Sequence, residues 1–442
     1  MSLTAVLWLS LFAGCAIASI KRPAYAVSAY MLSFFLCPPF WWWGDAIAGY
    51  RWNLYAGLLL LASVFVNAPP PVSTWGKTPK RAVKIGLLMF LNFTFVHLAF
   101  ASDAETSFEG WSLASKLLLL MFLTFACIKT HLDLKIVLLS ILVGAAYIGY
   151  EVTINERGEL NSNRLEGIGA PGASTANHFA SLMVAVMPLV APFFLAGRMW
   201  EKVFAVVAAP FIMNVVLLCN SRGAFLAAIM SAVVFLVSAP AEFRGKSIKL
   251  IVAGAIAAFM LMGDSRILDR FMTTFSAEED RDASAQSRLE FAKAGLSMIA
   301  DHPLGAGGDS FKYVHGLKYL RQTGAADEMK ALHNGYLTEA CSWGIQGSLL
   351  RLFLFGTVSL ATFRAVRRNR GESSTDSFER LAACSFLSGL SAVMTTSLFG
   401  DHFDSEWGLW MIALMMAYLT LSGAENGASS ISDSSVLQES HL

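Results

Sequence analysis

What most constrains this chain is a succession of apolar runs, each long enough to cross a lipid bilayer and each closed by a polar stretch. A hydrocarbon core roughly 30 Å thick calls for about 20 apolar residues of helix. Runs of about that length lie near residues 3–20, 24–42, 53–68, 83–101, 112–128, 134–151, 175–196, 203–219, 223–238, 250–263, 336–362, 381–400 and 407–422. The chain therefore reads as an all-α polytopic membrane protein of about 12 to 13 transmembrane helices with a large, partly helical loop. Composition agrees: 15% of residues are charged, against about 25% in a soluble protein. The 32 Phe and 11 Trp suit lipid-facing surfaces and interfacial belts. A formal net charge of +1 gives no field that would attract nucleic acid.

Charge in the connecting loops assigns sides. Basic clusters such as Lys21-Arg22, Lys77/Lys80/Arg81, Arg244/Lys246/Lys249 and Arg364/Arg367/Arg368 fall in every second loop, as the positive-inside rule requires of cytoplasmic segments. The alternate loops carry acids or mixed charge and face outward: Asp103/Glu105/Glu109, Glu151 to Glu166, Ser265 to Asn334, and Asp401/Asp404/Glu406. The expected organisation is residues 1–263 as the first ten helices, 264–334 as the outer loop with an amphipathic helix, and 335–422 as the last helices. Residues 423–442, rich in Ser and acids, form a disordered cytoplasmic tail. The first apolar run lacks a basic start and reads as a retained helix rather than a cleaved signal. The six cysteines lie in or at the ends of apolar runs without a CxxC pair, so neither a disulfide framework nor a zinc site is expected.

The loop from Ser265 to Trp343 is the longest hydrophilic interruption, and a loop of about seventy residues usually carries function. Ser287 can cap a helix from Arg288 to about Ala300. Phe291, Gly295 and Met298, with Ala292, Leu296 and Ile299, form its apolar face; Glu290, Lys293, Ser297 and Asp301 form the other. Pro303 and the glycines at 305, 307 and 308 stop that helix in a turn-forming stretch.

Polar residues at membrane depth or its edge are functional candidates. Arg222 stands in Asn220-Ser221-Arg222-Gly223 between two apolar runs, which form either a tight hairpin or a broken helix. It either snorkels to a headgroup or offers its donor fork to phosphate oxygens. Arg164 precedes a helix start at Ser174-Thr175-Ala176-Asn177-His178, where Ser174 is the expected N-cap and freed amides suit an anion. His333 returns from the long loop to the bundle, followed by Asn334 and Gly335, and a histidine serves as general base at neutral pH. Glu339 could orient it only where the helix start is irregular, because a regular helix sets six residues on opposite faces. Glu278-Glu279-Asp280-Arg281-Asp282 reads as a solvated loop tip. The chain has no phosphate-binding Gly-x-x-x-x-Gly-Lys loop. The loop from Gly44 to Arg51 holds one acid, Asp45, so no metal and no cofactor is implied.

In order and placement these elements resemble the O-antigen ligase/polymerase superfamily of bacterial inner membranes. The resemblance rests on Arg164 with Gly167 and Asn177, then Asn220-Ser221-Arg222-Gly223, Ser287-Arg288 with His302-Pro303-Leu304-Gly305-Ala306-Gly307, and His333-Asn334-Gly335-Tyr336-Leu337. It is clearest from Arg164 to Trp343. It implies phosphate-binding arginines at Arg222 and Arg288 and an essential loop histidine at His333. Arg164 and Asn177 match a pattern without an assigned role, and Asn334 and Glu339 would support the histidine.

The resemblance further implies a glycosyltransferase of the inner membrane whose site faces the periplasm. Its partners would be an undecaprenyl-diphosphate-linked glycan as donor, a lipid A-core hydroxyl, another glycan or a protein as acceptor, and the membrane lipids. On that reading Arg222 and Arg288, assisted by Arg164, clamp the diphosphate while His333 deprotonates the acceptor. The displacement would be direct, inverting and free of metal, with O-antigen ligation preferred over polymerisation or protein glycosylation. The rival from another class is a transporter or lipid-linked glycan flippase, in which arginines at a broken helix bind an anionic cargo.

Overall fold

The computed structural model describes residues 2–161, 164–261, 278–324, 329–368 and 374–423. The tail beyond Gly423, Asn163 and the first part of the long loop lie outside the described residues. Each expected apolar run coincides with a helix: α1 (Leu3–Ser19), α2 (Ala24–Phe35), α3 (Trp52–Asn67), α4 (Lys77–Phe100), α5 (Ala104–Cys127) and α6 (His131–Thr153). After a short hairpin of β1 (Glu159–Asn161) and β2 (Arg164–Glu166) come α7 (Ala176–Val186), α8 (Val190–Ala196), α9 (Met199–Cys219), α10 (Arg222–Ser238) and α11 (Ala241–Leu261). The long loop contributes α12 (Glu278–Asp301) and α13 (Gly316–Thr323), and α14 (Gly335–Arg368), α15 (Ser374–Thr396) and α16 (Glu406–Leu421) complete the bundle.

The protein is an all-α polytopic membrane protein. By length and composition, the helices long and apolar enough to span are α4, α5, α6, the α7–α8 segment Ala176–Ala196, α9 and α14. Helices α1, α2, α3, α10 and α16 are apolar but shorter. Prolines explain two departures from the expected runs. Pro38 and Pro39 end α2 early in a 3-10 turn, and Pro188 divides α7 from α8 through another, because proline removes a backbone donor.

The helices meet through small polar side chains, which bond across interfaces where lipid supplies no hydrophobic drive. Ser388 Oγ donates to Ser231 O at 2.6 Å between α15 and α10. Ser181 and Thr396 hydroxyls lie 2.7 Å apart between α7 and α15. Ser385 Oγ donates to Pro188 O at 2.7 Å, satisfying a carbonyl at the proline break. Between α9 and α10, Asn220 takes a left-handed conformation (φ 46°, ψ 50°). The two helices then face each other across a groove, Met213 and Leu217 opposite Phe225 and Ile229. The two apolar runs are thus separate helices joined at a left-handed residue.

The long loop differs from expectation at its start. Helix α12 begins at Glu278, so position 287 falls inside the helix rather than at its start. The acids expected at a loop tip instead open this helix, where negative charge complements the macrodipole. Its buried stripe is Phe291, Ala294, Gly295 and Met298, while Leu296 is exposed. This stripe joins Phe311, Tyr319, Leu320, Leu332 and Cys341 in a separate small core at one end of the bundle.

A strap from Pro303 to Ser310 fastens that core to the helices. Gly344, at φ 79° and ψ 168°, breaks α14, a conformation glycine adopts without steric cost. The freed carbonyls of Cys341 and Ser342 accept from Ala306 and Gly307 N–H at 3.0 and 3.1 Å. On the strap's other side, Ser102 N–H donates to Ala306 O at 3.0 Å and Gly308 N–H to Ser107 Oγ at 3.3 Å. A Cβ on Gly110 would stand 2.8 Å from Gly308 Cα, so the α5 backbone and the strap touch directly.

Candidate functional site

Three arginines converge at the end of the bundle that carries the long loop. Arg164 enters on β2, paired with Asn161 across the hairpin. Arg222 is the first residue of α10, directly after the left-handed turn, and Ser221 before it makes no side-chain cap. The amides of that helix start thus take no bond from the Ser221 side chain. Arg288 comes from α12, its guanidinium over the Phe399 ring at 5.6 Å from the centroid. Gly223 lies under the same ring: a Cβ there would be 3.1 Å from Phe399 Cβ. Phe399 therefore spaces the α10 start from Arg288.

The charges of this group are only partly compensated. Arg164 is held below the ordinary guanidinium range mainly by burial, with Arg222 and Arg288 adding repulsion and Glu166 partly offsetting it. Burial and then Arg222 act on Arg288 in the same direction. Arg164 Nε is buried with no hydrogen-bond partner. Among the described residues no carboxylate forms an ion pair with any of the three. Like charges gathered without counterions cost free energy, which a bound polyanion would recover.

His333 stands beside them. Its backbone is left-handed (φ 52°), its side chain is exposed, and its ring lies 6.1 Å from that of Phe291, one turn along α12 from Arg288. The next two residues fix it. Asn334 Oδ1 accepts from Tyr336 and Leu337 N–H at 3.1 and 3.2 Å and caps α14. Gly335 N–H donates to Ser397 O and Gly400 O at 2.8 and 2.9 Å, and a Cβ on Gly335 would stand 2.8 Å from Phe403. Asn334 thus caps the helix that starts directly after His333. Glu339 does not orient it. The helix is regular here, and Glu339 turns inward to accept from Arg351 Nε at 2.8 Å.

The sequence reading missed what lies on the other side of His333. His178, in the first turn of α7, and His402, in the α15–α16 connection, meet edge to face with centroids 4.5 Å apart. His333 is near enough to repel a proton on either. Burial first, then these two neighbours, push His402 down to about 3. The cap of α7 is Thr175 rather than Ser174: its Oγ1 accepts from His178 N–H at 3.4 Å and lies 3.1 Å from His178 Nδ1. Asn177, beside it, is half-buried, and its side chain forms no hydrogen bond among the described residues.

Beyond the histidines is an acidic compartment. Thr338 Oγ1 donates to Asp401, and Asp404 and Asp309 line a cavity of about 70 Å³ together with Gly335, Glu339, Trp343 and Arg351. Asp404 sits deep among protein atoms yet keeps exposed surface because it faces this cavity. Its carboxyl is raised chiefly by burial, with Asp401 adding to the shift and Arg351 opposing it. Asp309 is likewise raised by burial and then by Asp404. The cavity has room for ordered water. The available signal was Asp401-His402-Phe403-Asp404, polar residues between two apolar runs, which had served only to assign a side. Among the described residues no group of three His, Cys, Asp or Glu side chains could hold a metal.

Below the arginines, the groove between α9 and α10 widens into an apolar cleft of about 440 Å³. Helix α11 closes it with Leu250, Ile251 and Gly254, and Leu217 and Phe225 mark the end next to Arg222.

A family model described as O-Antigen ligase matches residues 204–352. That stretch runs from α9 into α14 and contains Arg222, Arg288 and His333 but neither Arg164 nor His178. No match to a curated protein was found.

Proposed function

We propose, from the place of residues 204–352 in the O-antigen ligase superfamily, that this membrane protein is a glycosyltransferase of the ligase type. It would move a glycan from undecaprenyl diphosphate to a lipid A-core hydroxyl at the periplasmic face of the inner membrane. The observation that carries this reading is the group of three arginines, unpaired with any carboxylate among the described residues, at the head of an apolar cleft and beside an exposed histidine. A polyprenyl diphosphate has matching parts: a long apolar tail and a polyanionic head.

The chemistry then needs positioning, charge stabilisation and one proton acceptor. Arg222 and Arg288 hold the diphosphate oxygens with Arg164 behind them, each fork matching two oxygens. The acceptor oxygen attacks the anomeric carbon as its proton passes to an imidazole nitrogen of His333. The bond from that carbon to the phosphate oxygen breaks, and the electron pair leaves with undecaprenyl diphosphate. Attack from the face opposite the leaving group inverts the configuration.

The test is transfer in detergent with the purified chain, an undecaprenyl-diphosphate glycan and lipid A-core, a chelator being present. Transfer that is lost in His333→Ala supports the reading. Lengthening of the donor glycan instead makes the protein a polymerase, and transfer to a protein hydroxyl makes it a protein glycosyltransferase. Donor moving across sealed vesicles without either product makes it a transporter.

A further inference from the structure

Next to the arginines is a second surface that the transfer chemistry leaves unused. The proline turn after α2 sends Trp41 and Trp43 into the bundle and leaves Phe40 and Trp42 38% and 47% exposed. Trp41 and Trp43 are anchors, their indole N–H groups donating to Phe35 O at 3.2 Å and Tyr147 OH at 2.9 Å. Trp42 is held differently. Its Nε1 donates to Glu151 Oε2 at 3.2 Å, and the Arg157 guanidinium lies over its ring at 5.0 Å. Glu151 and Arg157 pair at 3.8 Å. An indole serving only as an interfacial anchor turns its faces to acyl chains and its N–H to headgroups. Here a protein cation covers one face and a protein carboxylate takes the N–H.

This surface is continuous with the arginine group. Phe40 packs on Gly169, where a Cβ would stand 3.3 Å from the ring. Arg157 N–H donates to Glu151 O at 3.1 Å, and the chain runs on into β1, where Asn161 faces Arg164. At about 3.4 Å per residue of strand, Arg157 lies on the order of 14 Å from Arg164 along the hairpin.

We propose that Trp42 and Phe40, rimmed by Arg157, form a saccharide-binding platform for the donor glycan, a few sugars beyond its diphosphate. A pyranose presents a face of C–H groups that stacks on an aromatic ring, and its hydroxyls both donate and accept. Trp42 and Phe40 supply the flat surface and the partly exposed Arg157 the donors, while the buried Glu151 holds Trp42 and Arg157 in place. The hairpin leads from the diphosphate site to this platform, which favours the donor glycan as occupant. The inference rests on reading the arginines as that diphosphate site.

Two undecaprenyl-diphosphate donors, one carrying a single sugar and one a long glycan, test it on the full chain in detergent. The wild type should show a lower KM for the long glycan. Trp42→Leu keeps an apolar side chain and removes the flat ring. It should lose about tenfold in KM for the long donor and keep wild-type turnover of the single-sugar donor. Trp42→Phe should retain most of the gain. Equal length dependence in Trp42→Leu and wild type would overturn the platform and leave Trp42 to lipid headgroups. A direct reading needs no turnover: NMR saturation transfer to the free long glycan, present in wild type and lost in Trp42→Leu, supports the platform. No signal in the wild type, or an equal one in the variant, overturns it. Absence of transfer with saturation transfer intact would instead count against the ligase reading alone.

Discussion

Glu339 Oε1 accepts from Arg351 Nε at 2.8 Å, with both side chains 3% or less exposed. The pair closes the first turn of α14 onto the same helix beyond its break, and the Arg351 guanidinium also lies over Phe403 at 5.7 Å. It therefore ties the helix that follows His333 to the loop that holds Gly335.

Removing one member of such a pair leaves the other charge buried and unmatched. Glu339→Gln or Arg351→Met should each destabilise the chain by about 3–5 kcal/mol. The double variant Glu339→Leu/Arg351→Met should recover much of that loss. Thermal unfolding in detergent measures all three; equal stability of the single variants and wild type would deny the pair its structural role.

Arg222 should act on the leaving diphosphate. Loss of one preorganised donor to developing charge costs about 10²–10³ in turnover, and Arg222→Ala should show that loss. Arg222→Lys, which keeps a point charge without the fork, should fall between. Single-turnover transfer with bound donor is the measurement, and an unchanged rate in Arg222→Ala would remove the residue from the site.

The apolar cleft should be selective for tail length. Gly254→Phe places a ring in the α11 wall of the cleft, where a Cβ at Gly254 already lies 3.6 Å from Met213. KM for an undecaprenyl donor should rise by about tenfold or more, while a donor with a short prenyl tail should be affected little. Equal effects on both donors would place the tail elsewhere.

His402 should make the fold acid-sensitive. An unfolded imidazole takes its proton near 6.5 and the folded His402 only near 3, so between these values the unfolded chain binds more protons. Stability is then full above about pH 6.5 and falls as pH drops through this window, by up to about 1.4 kcal/mol per pH unit. His402→Asn should flatten that slope in unfolding measured from pH 7 to pH 5. A slope unchanged by the substitution would mean that His402 is not neutralised by burial.

How much of this was legible depended on range. The helices could be read because the requirement for an apolar run of bilayer length is met residue by residue. Arg222 could be read because it stands between two such runs, His333 because it stands where the long loop returns to one, and Arg288 and Arg164 through their place in an ordered pattern. The meeting of His178 with His402, the turn of Asp404 into a cavity, and the strap's insertion at Gly344 depend on contacts between distant helices. No local spacing encodes those. The start of α12 was missed because serine at 287 offers a plausible cap, whereas the acids at 278–280 offer an earlier start with favourable charge. Glu339 could reach His333 only from an irregular helix start, and the sequence does not say that Arg351 supplies its partner within the same helix.

The bonds from Gly335 N–H to Ser397 O and Gly400 O also bear on how the protein is made. His333 emerges from the ribosome well before the carbonyls that anchor its turn. Until α15 and α16 have been inserted, the turn lacks its floor, and the histidine has no fixed place beside the arginines. A chain stalled at the end of α14 would already hold Arg164, Arg222 and Arg288 but not the floor under His333. On the proposed function, such a chain could bind donor without transferring its glycan, and competence would arrive only with the last hairpin.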